Sequence, residues 1–454
     1  MKVMTGARPA ASAVSGRRAR SWHTGAVKRV GWGLGDQALS SLTNFAVGIL
    51  VARSVSVPDF GAYALAFSAY CFILGISRAL ATEPFAVRFV ISEPEQLQRA
   101  RAAVAGVALL TGVAFLAVAL VLSQMLPQEY RSLAICLGAV LPGLLVQDSV
   151  RQILFAAGRG RSAFNNDLLW AVLMVPAFGG VFLSGNVGSA TLILAWGAAA
   201  TFAAVVGCFQ CRVVPGVGLI KSWLNSQRGL WAPFLVEGAA INGSQQVVFF
   251  AIGAFVGLSA VGEMKLALVL LGPVNVLVQG LGVVAVPEAA RAIATGRSRF
   301  LRVTSVFSLA VALGALLWGV TVTLLPESWG AALVGRGWLT ASALVLPMFL
   351  VQVFNGAKTG AAVGLRSMGA ARRSMWTRIT TSSLVVVISV AGAGLAGLPG
   401  AAWGQVVAAA LSTVLWYLQF RNVYSQYPFT SDKSQISRHL AERSQPREVA
   451  VPDE

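Results

Sequence analysis

Leu141–Gln147 reads Leu-Pro-Gly-Leu-Leu-Val-Gln, and Leu346–Gln352, 205 residues further on, reads Leu-Pro-Met-Phe-Leu-Val-Gln. Five of the seven positions agree, including a proline and a glutamine set among apolar residues. Proline removes one helical hydrogen bond and kinks the chain, so each proline predicts a bend at the same depth of its helix. The echo belongs to a longer one. At an offset of 201, Asp36 falls on Glu237, Thr43 on Ser244, Asn44 on Gln245, Gly61 on Gly262 and Arg78 on Gln279. Two residues further, Pro84-x-Ala86-x-Arg88 falls on Pro287-x-Ala289-x-Arg291. A nearly constant offset over several short motifs predicts an internal repeat, with loop insertions accounting for the drift.

The solvent of this chain is lipid. Hydrophobic residues make up 56% of it and charged residues 11%, with a mean hydropathy of +0.72. A water-soluble domain carries about 25% charged residues. Apolar runs long enough to cross about 30 Å of hydrocarbon recur along the sequence, and backbone in lipid must satisfy its hydrogen bonds within the segment. Twelve helical spans are expected, near 31–52, 59–81, 102–125, 131–156, 164–184, 189–211, 232–256, 260–286, 303–325, 337–360, 376–397 and 400–420. The fold class is an all-α polytopic membrane protein. Its expected parts are a basic tail (1–30), a six-helix bundle (31–211), a linker (212–231), a second six-helix bundle (232–420) and a polar, disordered tail (421–454). Six helices separate the two copies of the repeat, so both halves cross the membrane in the same sense. Parallel repeats of this kind place a binding site between the halves.

The net charge of +18 invites a nucleic-acid reading, which its distribution argues against. Of 35 Lys and Arg, 28 fall in the two tails and alternate loops, and only Arg53, Arg131 and Arg336 fall in the opposite loops. This is the positive-inside bias, and it puts both termini in the cytoplasm of a plasma-membrane protein. The first 30 residues hold seven basic side chains and no apolar core, unlike a cleavable signal peptide. Arg17-Arg18 only faintly resembles a twin-arginine signal, because no apolar stretch follows closely. The four cysteines lie in apolar spans, and Cys208-x-x-Cys211 lacks any group to activate a thiolate. Both histidines are in the tails, which leaves no metal site, cofactor or enzyme chemistry to expect.

Charge buried in a membrane costs free energy, so such residues tend to face the protein interior and to have a function. Asp36, Ser40, Thr43 and Asn44 share one helical face, and Glu237, Ser244 and Gln245 repeat the pattern. The fourth span offers Gln147, Asp148 and Arg151. The tenth offers Gln352, Asn355, Lys358 and Thr359. Asp148 and Arg151, three apart, have the spacing of a local ion pair. Arg78 and Lys358 have no acidic residue three or four positions away and are candidates to meet an anion. Lys265 reads as a lysine snorkelling to the outer interface. Candidate cavity residues are therefore Arg78, Arg151, Lys358, Asn44, Gln147, Gln245, Gln352 and Asn355. Asp36, Glu237 and Asp148 are candidates for ion coupling, with H+ or Na+ as partner. Glu83, Arg88, Glu288 and Arg291, where the second and eighth spans reach the cytoplasm, are candidates for a gate.

Gly35–Phe45 (GDQALSSLTNF), Val51-Ala52-Arg53 and Pro58-Asp59-Phe60-Gly61-x-Tyr63-x-Leu65-Ala66 closely resemble the opening of bacterial O-antigen and teichoic-acid exporters. These belong to the multidrug/oligosaccharidyl-lipid/polysaccharide (MOP) superfamily. The resemblance implies a MATE-like pair of six-helix bundles around a cavity that opens alternately to either side. Its implied substrate is a polyprenyl-pyrophosphate-linked oligosaccharide whose lipid tail stays in the bilayer. Arg78 and Glu83 are similar in placement to an arginine and an acidic residue important in the related lipid II flippases. Two other readings fit the sequence: an ion-coupled multidrug extruder of the same superfamily, and a membrane partner of a polysaccharide polymerase.

Overall fold

The structure, a computed structural model, describes residues 11–89, 93–239, 243–293, 295–335 and 338–429. Among the described residues every regular element is a helix. In chain order these are α1 (Ala11–Ser54), α2 (Val57–Ser77), a π-helical turn (Arg78–Thr82), α3 (Glu83–Arg88), α4 (Pro94–Ser123), α5 (Gln128–Ala156), α6 (Gly160–Leu183) and α7 (Ser189–Cys211). A connector with α8 (Ile220–Ser226) leads to α9 (Arg228–Gly238), α10 (Ser244–Phe255), α11 (Leu258–Leu270) and α12 (Gly272–Ile293). The chain ends with α13 (Arg297–Thr323), α14 (Glu327–Val334), α15 (Trp338–Ser367) and α16 (Ala371–Gln426).

These elements make an all-α polytopic membrane protein with twelve crossings. Among the described residues eight stretches pass the length and hydropathy expected of a span, and the last, Arg372–Gln426, contains two of the twelve. It breaks at Ala396 and Gly397, where Gly397 takes a φ of 61° that only glycine adopts without strain. The remaining crossings are α1, α9 with α10, and α11 with α12. Side chains such as Leu122, Val175, Leu183, Leu317 and Leu395 stay exposed, as they must to face acyl chains.

By compactness the chain divides into two units. One comprises the described residues of Met1–Ala46 and Ile73–Leu235, the other Val47–Phe72 and the described residues of Val236–Glu454. The boundary cuts α1 and α2 part-way, so their loop-proximal ends cluster with the second half of the chain. Arg53 donates to the Ala332 carbonyl at 2.9 Å within that second unit. Also within it, a Cβ on Gly61 would lie 1.8 Å from the Leu258 oxygen, and one on Gly262 would lie 2.5 Å from the Val57 oxygen. Leu258 and Gly262 are the residues that the 201-residue offset pairs with Val57 and Gly61, so the contact is reciprocal. Two repeat-related backbones touch at glycines because a side chain on either would hold them apart.

Within the first unit α5 packs on α4 and α7; within the second, α15 packs on α13 and α16. Both LPxxLVQ elements thus sit in the helix at the centre of their bundle. Pro142 lies inside α5 and Pro347 inside α15, neither ending its helix. At Pro142 the α4 backbone comes so close that a Cβ on Gly112 would fall 2.4 Å from the proline Cα.

α1 already begins at Ala11, inside the basic segment. The connector after α7 folds onto the first unit: Trp223 is buried and donates its indole N–H to the Leu80 carbonyl at 3.0 Å. The expected disordered tail falls mostly on 430–454, outside the described residues.

Candidate functional site

Among the described residues, each unit has a polar assembly within its apolar interior. In the first unit, Arg78 opens the π turn, a distortion frequent at functional sites. Its Nε donates to Asp148 Oδ2 at 2.9 Å and its Nη2 to Asp148 Oδ1 at 2.6 Å, a bidentate pair across the bundle. Arg151, one turn further along α5, makes its ion pairs with other carboxylates. Its Nε donates to Asp36 Oδ2 at 2.9 Å, its Nη2 contacts the same oxygen, and Nε lies 2.9 Å from Asp167 Oδ2. Asp167 Oδ1 accepts from Gln147 Nε2 at 2.8 Å, and the neighbouring Asn166 donates to the Ala203 carbonyl at 2.9 Å.

The expected local pair of Asp148 with Arg151 is replaced by two longer-range pairs. A three-residue step along a helix puts the side chains on adjacent rather than coincident directions, and each finds a better-aligned partner on another helix. Arg78, which has no acidic residue three or four positions away in sequence, is held by Asp148. Among the described ion pairs, the cluster sets three carboxylates against two guanidiniums. The Asp36 side chain is 1% exposed and Asp167 5%, and Asp36 Oδ1 is buried without a hydrogen-bond partner. With every group ionised, the cluster carries one negative charge too many. A proton or a small cation can supply the missing positive charge.

In the second unit, a cavity of about 510 Å³ lies among α10, α12, α15 and both halves of α16. Lys358, Arg366 and Arg378 line it, together with the amides of Gln245, Gln352, Asn355 and Gln405 and the hydroxyls of Ser244, Thr359, Thr381, Ser382 and Ser412. No carboxylate occurs among its described lining residues. Gln245 Nε2 and Ser412 Oγ are buried there without a hydrogen-bond partner. Arg378 lies over the Trp416 ring, its Cζ 5.7 Å from the centroid. The α13–α15 crossing fixes the floor: Ser308 Oγ donates to the Ala357 carbonyl at 2.6 Å and accepts from Gly360 N–H at 2.9 Å. Lys358 and Thr359 lie between those two anchor points. A hollow rich in cations, amides and hydroxyls can hold an anion and sugar hydroxyls.

Of the residues singled out in sequence, Gln245, Gln352, Asn355 and Lys358 are together in this cavity. Asp36, Asp148, Arg78, Arg151 and Gln147 are together in the ion-pair cluster. Asn44 stands apart, exposed on α1. Glu237 is on α9, with its side chain outside the described set. Arg88 donates to the Ser226 carbonyl (3.2 Å) and to Gln227 Oε1 (3.1 Å), so it fastens the connector to its own unit. Glu288 pairs with Arg291 one turn away on the exposed face of α12, and Glu83 is half-buried at the start of α3. Lys265 sits 4.4 Å above the Phe67 ring, held by its aromatic neighbours rather than by the interface.

Sequence reading passed over Asp167, Arg366, Arg378 and Gln405. Asp167 closes a polar run, Asn165-Asn166-Asp167, within an expected span, and that run was the available signal. Arg366 and Arg378 flank a loop and read as ordinary cytoplasmic charges until the helices carry them into the cavity.

No family model matches the sequence, and no curated protein matches it. Solved structures do. An inward-facing multidrug resistance MATE family transporter of the MOP superfamily aligns with a TM-score of 0.68 at 15% identity, over 87% of this chain and 96% of its own. Lipid II flippase MurJ in an inward closed conformation aligns with a TM-score of 0.68 at 12% identity, over 90% and 93%. An outward-facing MATE transporter aligns with a TM-score of 0.59 at 14% identity, over 89% and 96%. The chain has the fold shared by MATE transporters and MurJ, as its resemblance to MOP-superfamily exporters implies.

Proposed function

We propose that this chain is a flippase. It moves a polyprenyl-pyrophosphate-linked oligosaccharide from the cytoplasmic to the outer leaflet of the plasma membrane by alternating access, for cell-surface polysaccharide synthesis. Both termini lie in the cytoplasm, following the Lys/Arg bias. The observation that carries the reading is the cavity of the second unit, with Lys358, Arg366 and Arg378 and no carboxylate among its described lining. A pyrophosphate leaving water needs compensating positive charge at close range, because unpaired charge in a low-dielectric site is costly. Side-chain amides and hydroxyls suit the attached sugars. A cavity built for cationic drugs needs the opposite charge.

The surplus carboxylate of the Asp36–Asp148–Asp167 cluster serves coupling to H+ or Na+ in this scheme. Taken alone it favours the second reading, an ion-coupled extruder of cationic drugs. The two readings diverge at Lys358. Lys358→Arg keeps the charge and is expected to retain export, Lys358→Gln to reduce it, and Lys358→Glu to abolish it by repelling phosphate. Arg378 is expected to follow the same order, with lysine the mild change. The measurement is surface polysaccharide and accumulated lipid-linked precursor in a deletion strain carrying each variant at matched expression. Export by Lys358→Glu and Arg378→Glu at the parental level sinks the flippase reading. Drug efflux that improves with either glutamate establishes the extruder.

A further inference from the structure

A second basic hollow, of about 480 Å³, lies in the first unit, away from the ion-pair cluster, lined by Gln98, Arg101, Arg159, Gln210, Cys211 and Arg212. Its three arginines come from three separate places: the second turn of α4, the residue that caps the start of α6, and the residue that caps the end of α7. No acidic residue is among the lining, and the nearby Glu95 carboxylate is already engaged by Arg99 at 2.7 Å.

The hollow is pre-formed. Arg159 Nη1 donates to the Gln210 carbonyl at 2.9 Å, and Gln98 Nε2 donates to the Arg212 carbonyl at 2.5 Å. Those bonds occupy two carbonyls at the end of α7 that would otherwise repel an anion. Arg212 is the one non-glycine residue at positive φ among the described residues (φ 52°, ψ 46°). Glycine or asparagine usually takes this helix-ending position, since a larger side chain there costs about 1 kcal/mol or more. Two polar atoms of the lining are buried with no hydrogen-bond partner, one a donor, Arg101 Nε, and one an acceptor, Gln210 Oε1. Neutralising the charge at the end of α7 would need neither the convergence of three arginines nor two orphan atoms.

We propose that this hollow binds an organic phosphate whose headgroup carries a hydroxyl, of the glycerophosphate type found in phosphatidylglycerol. The phosphate oxygens accept from Arg101, Arg159 and Arg212, and a headgroup hydroxyl donates to Gln210 Oε1. The hollow is at the ends of spanning helices on the arginine-rich face, where headgroup phosphates lie, and basic pockets between spanning helices are suited to anionic headgroups. The site is independent of the flippase assignment, so either can fail without the other.

The test uses the full chain in phosphatidylcholine–detergent micelles, with melting followed as phosphatidylglycerol or soluble glycerol 3-phosphate is added. Phosphatidylglycerol is expected to raise the melting temperature saturably in the parent and in Arg99→Gln, which removes an exposed charge outside the hollow. In Arg101→Gln and Arg159→Gln the half-effect concentration is expected to rise about tenfold. If glycerol 3-phosphate alone produces the same variant-sensitive shift, the site is right and its phosphate comes from a soluble molecule. Equal responses in all four proteins, or no saturable response to either compound, overturn the proposal. The parent protein gives a test that needs no variant: phosphatidylglycerol should bind more tightly than phosphatidylmethanol, which lacks the hydroxyl. Equal binding of the two removes the role given to Gln210.

Discussion

Replacing Arg151 by glutamine leaves two carboxylates facing each other with the guanidinium gone. The side chains involved are 14% exposed for Arg151, 1% for Asp36 and 5% for Asp167, so water cannot compensate. Removing one partner of a buried ion pair costs about 3–5 kcal/mol. Asp167→Asn acts differently. It leaves two carboxylates for two guanidiniums, and the asparagine oxygen still accepts from either Gln147 or Arg151. The loss is about one hydrogen bond, roughly 0.5–1.5 kcal/mol. Combining the substitutions takes away one of the two surplus negative charges that make Arg151→Gln severe and returns the cluster to its parental charge. The double variant is therefore expected to recover about 1–3 kcal/mol relative to the sum of the singles. The assay is the fraction of detergent-solubilised protein that stays monodisperse after heating, at matched expression. The expected order of midpoints is parent, Asp167→Asn, the double variant, then Arg151→Gln. If Asp167→Asn melts as low as Arg151→Gln, or the double variant melts lowest, the charge balance of the cluster is wrong.

On the coupling role proposed for Asp36, Asp36→Asn is expected to insert and express normally yet reduce transport; full complementation of a transport-deficient strain would make Asp36 structural. Gly61→Val forces repeat-related backbones apart and is expected to cost about 1–3 kcal/mol. Gly179→Val, with nothing within 4 Å of its Cβ position, serves as the control, and equal melting of the two variants would contradict the close contact. In intact cells, cysteines placed at Ser184 and Glu327 should react with an impermeant reagent while those at Arg297 and Arg372 should not. Labelling at Arg372 would remove the argument for parallel halves.

The membrane class, the twelve crossings and the repeat were legible because each depends on residue type and spacing along one helix. The offset pairs Gly61 with Gly262 as equivalents, and only the structure shows that the backbones meet there. Pairing between helices was less legible. The sequence placed Asp148 three residues before Arg151, but the bundle gives Asp148 to Arg78 and Arg151 to Asp36 and Asp167, which lie 115 and 16 positions away in the chain. Helix rotation and crossing decide those partners, and neither is encoded in local spacing. Arg366 and Arg378 are passed over in sequence for a related reason. Positive charges near a loop look alike whether they face water or a cavity, until the neighbouring helices are in place. Ser308, which anchors the helix bearing Lys358 through the Ala357 carbonyl and the Gly360 N–H, reads in sequence as an ordinary small residue of a spanning helix.

The cavity around Lys358 and Arg378 is proposed to accept the pyrophosphate of a lipid-linked oligosaccharide. The most direct measurement is reconstitution of the full chain into proteoliposomes loaded on one leaflet with a polyprenyl-pyrophosphate-linked oligosaccharide, followed by the appearance of the sugar on the other leaflet with a lectin. Time-dependent appearance is expected with the parent and with Lys358→Arg, and none above protein-free vesicles with Lys358→Glu. Translocation by Lys358→Glu at the parental rate would contradict this proposal, as would a parent protein that moves a cationic dye and leaves the lipid-linked sugar where it was loaded.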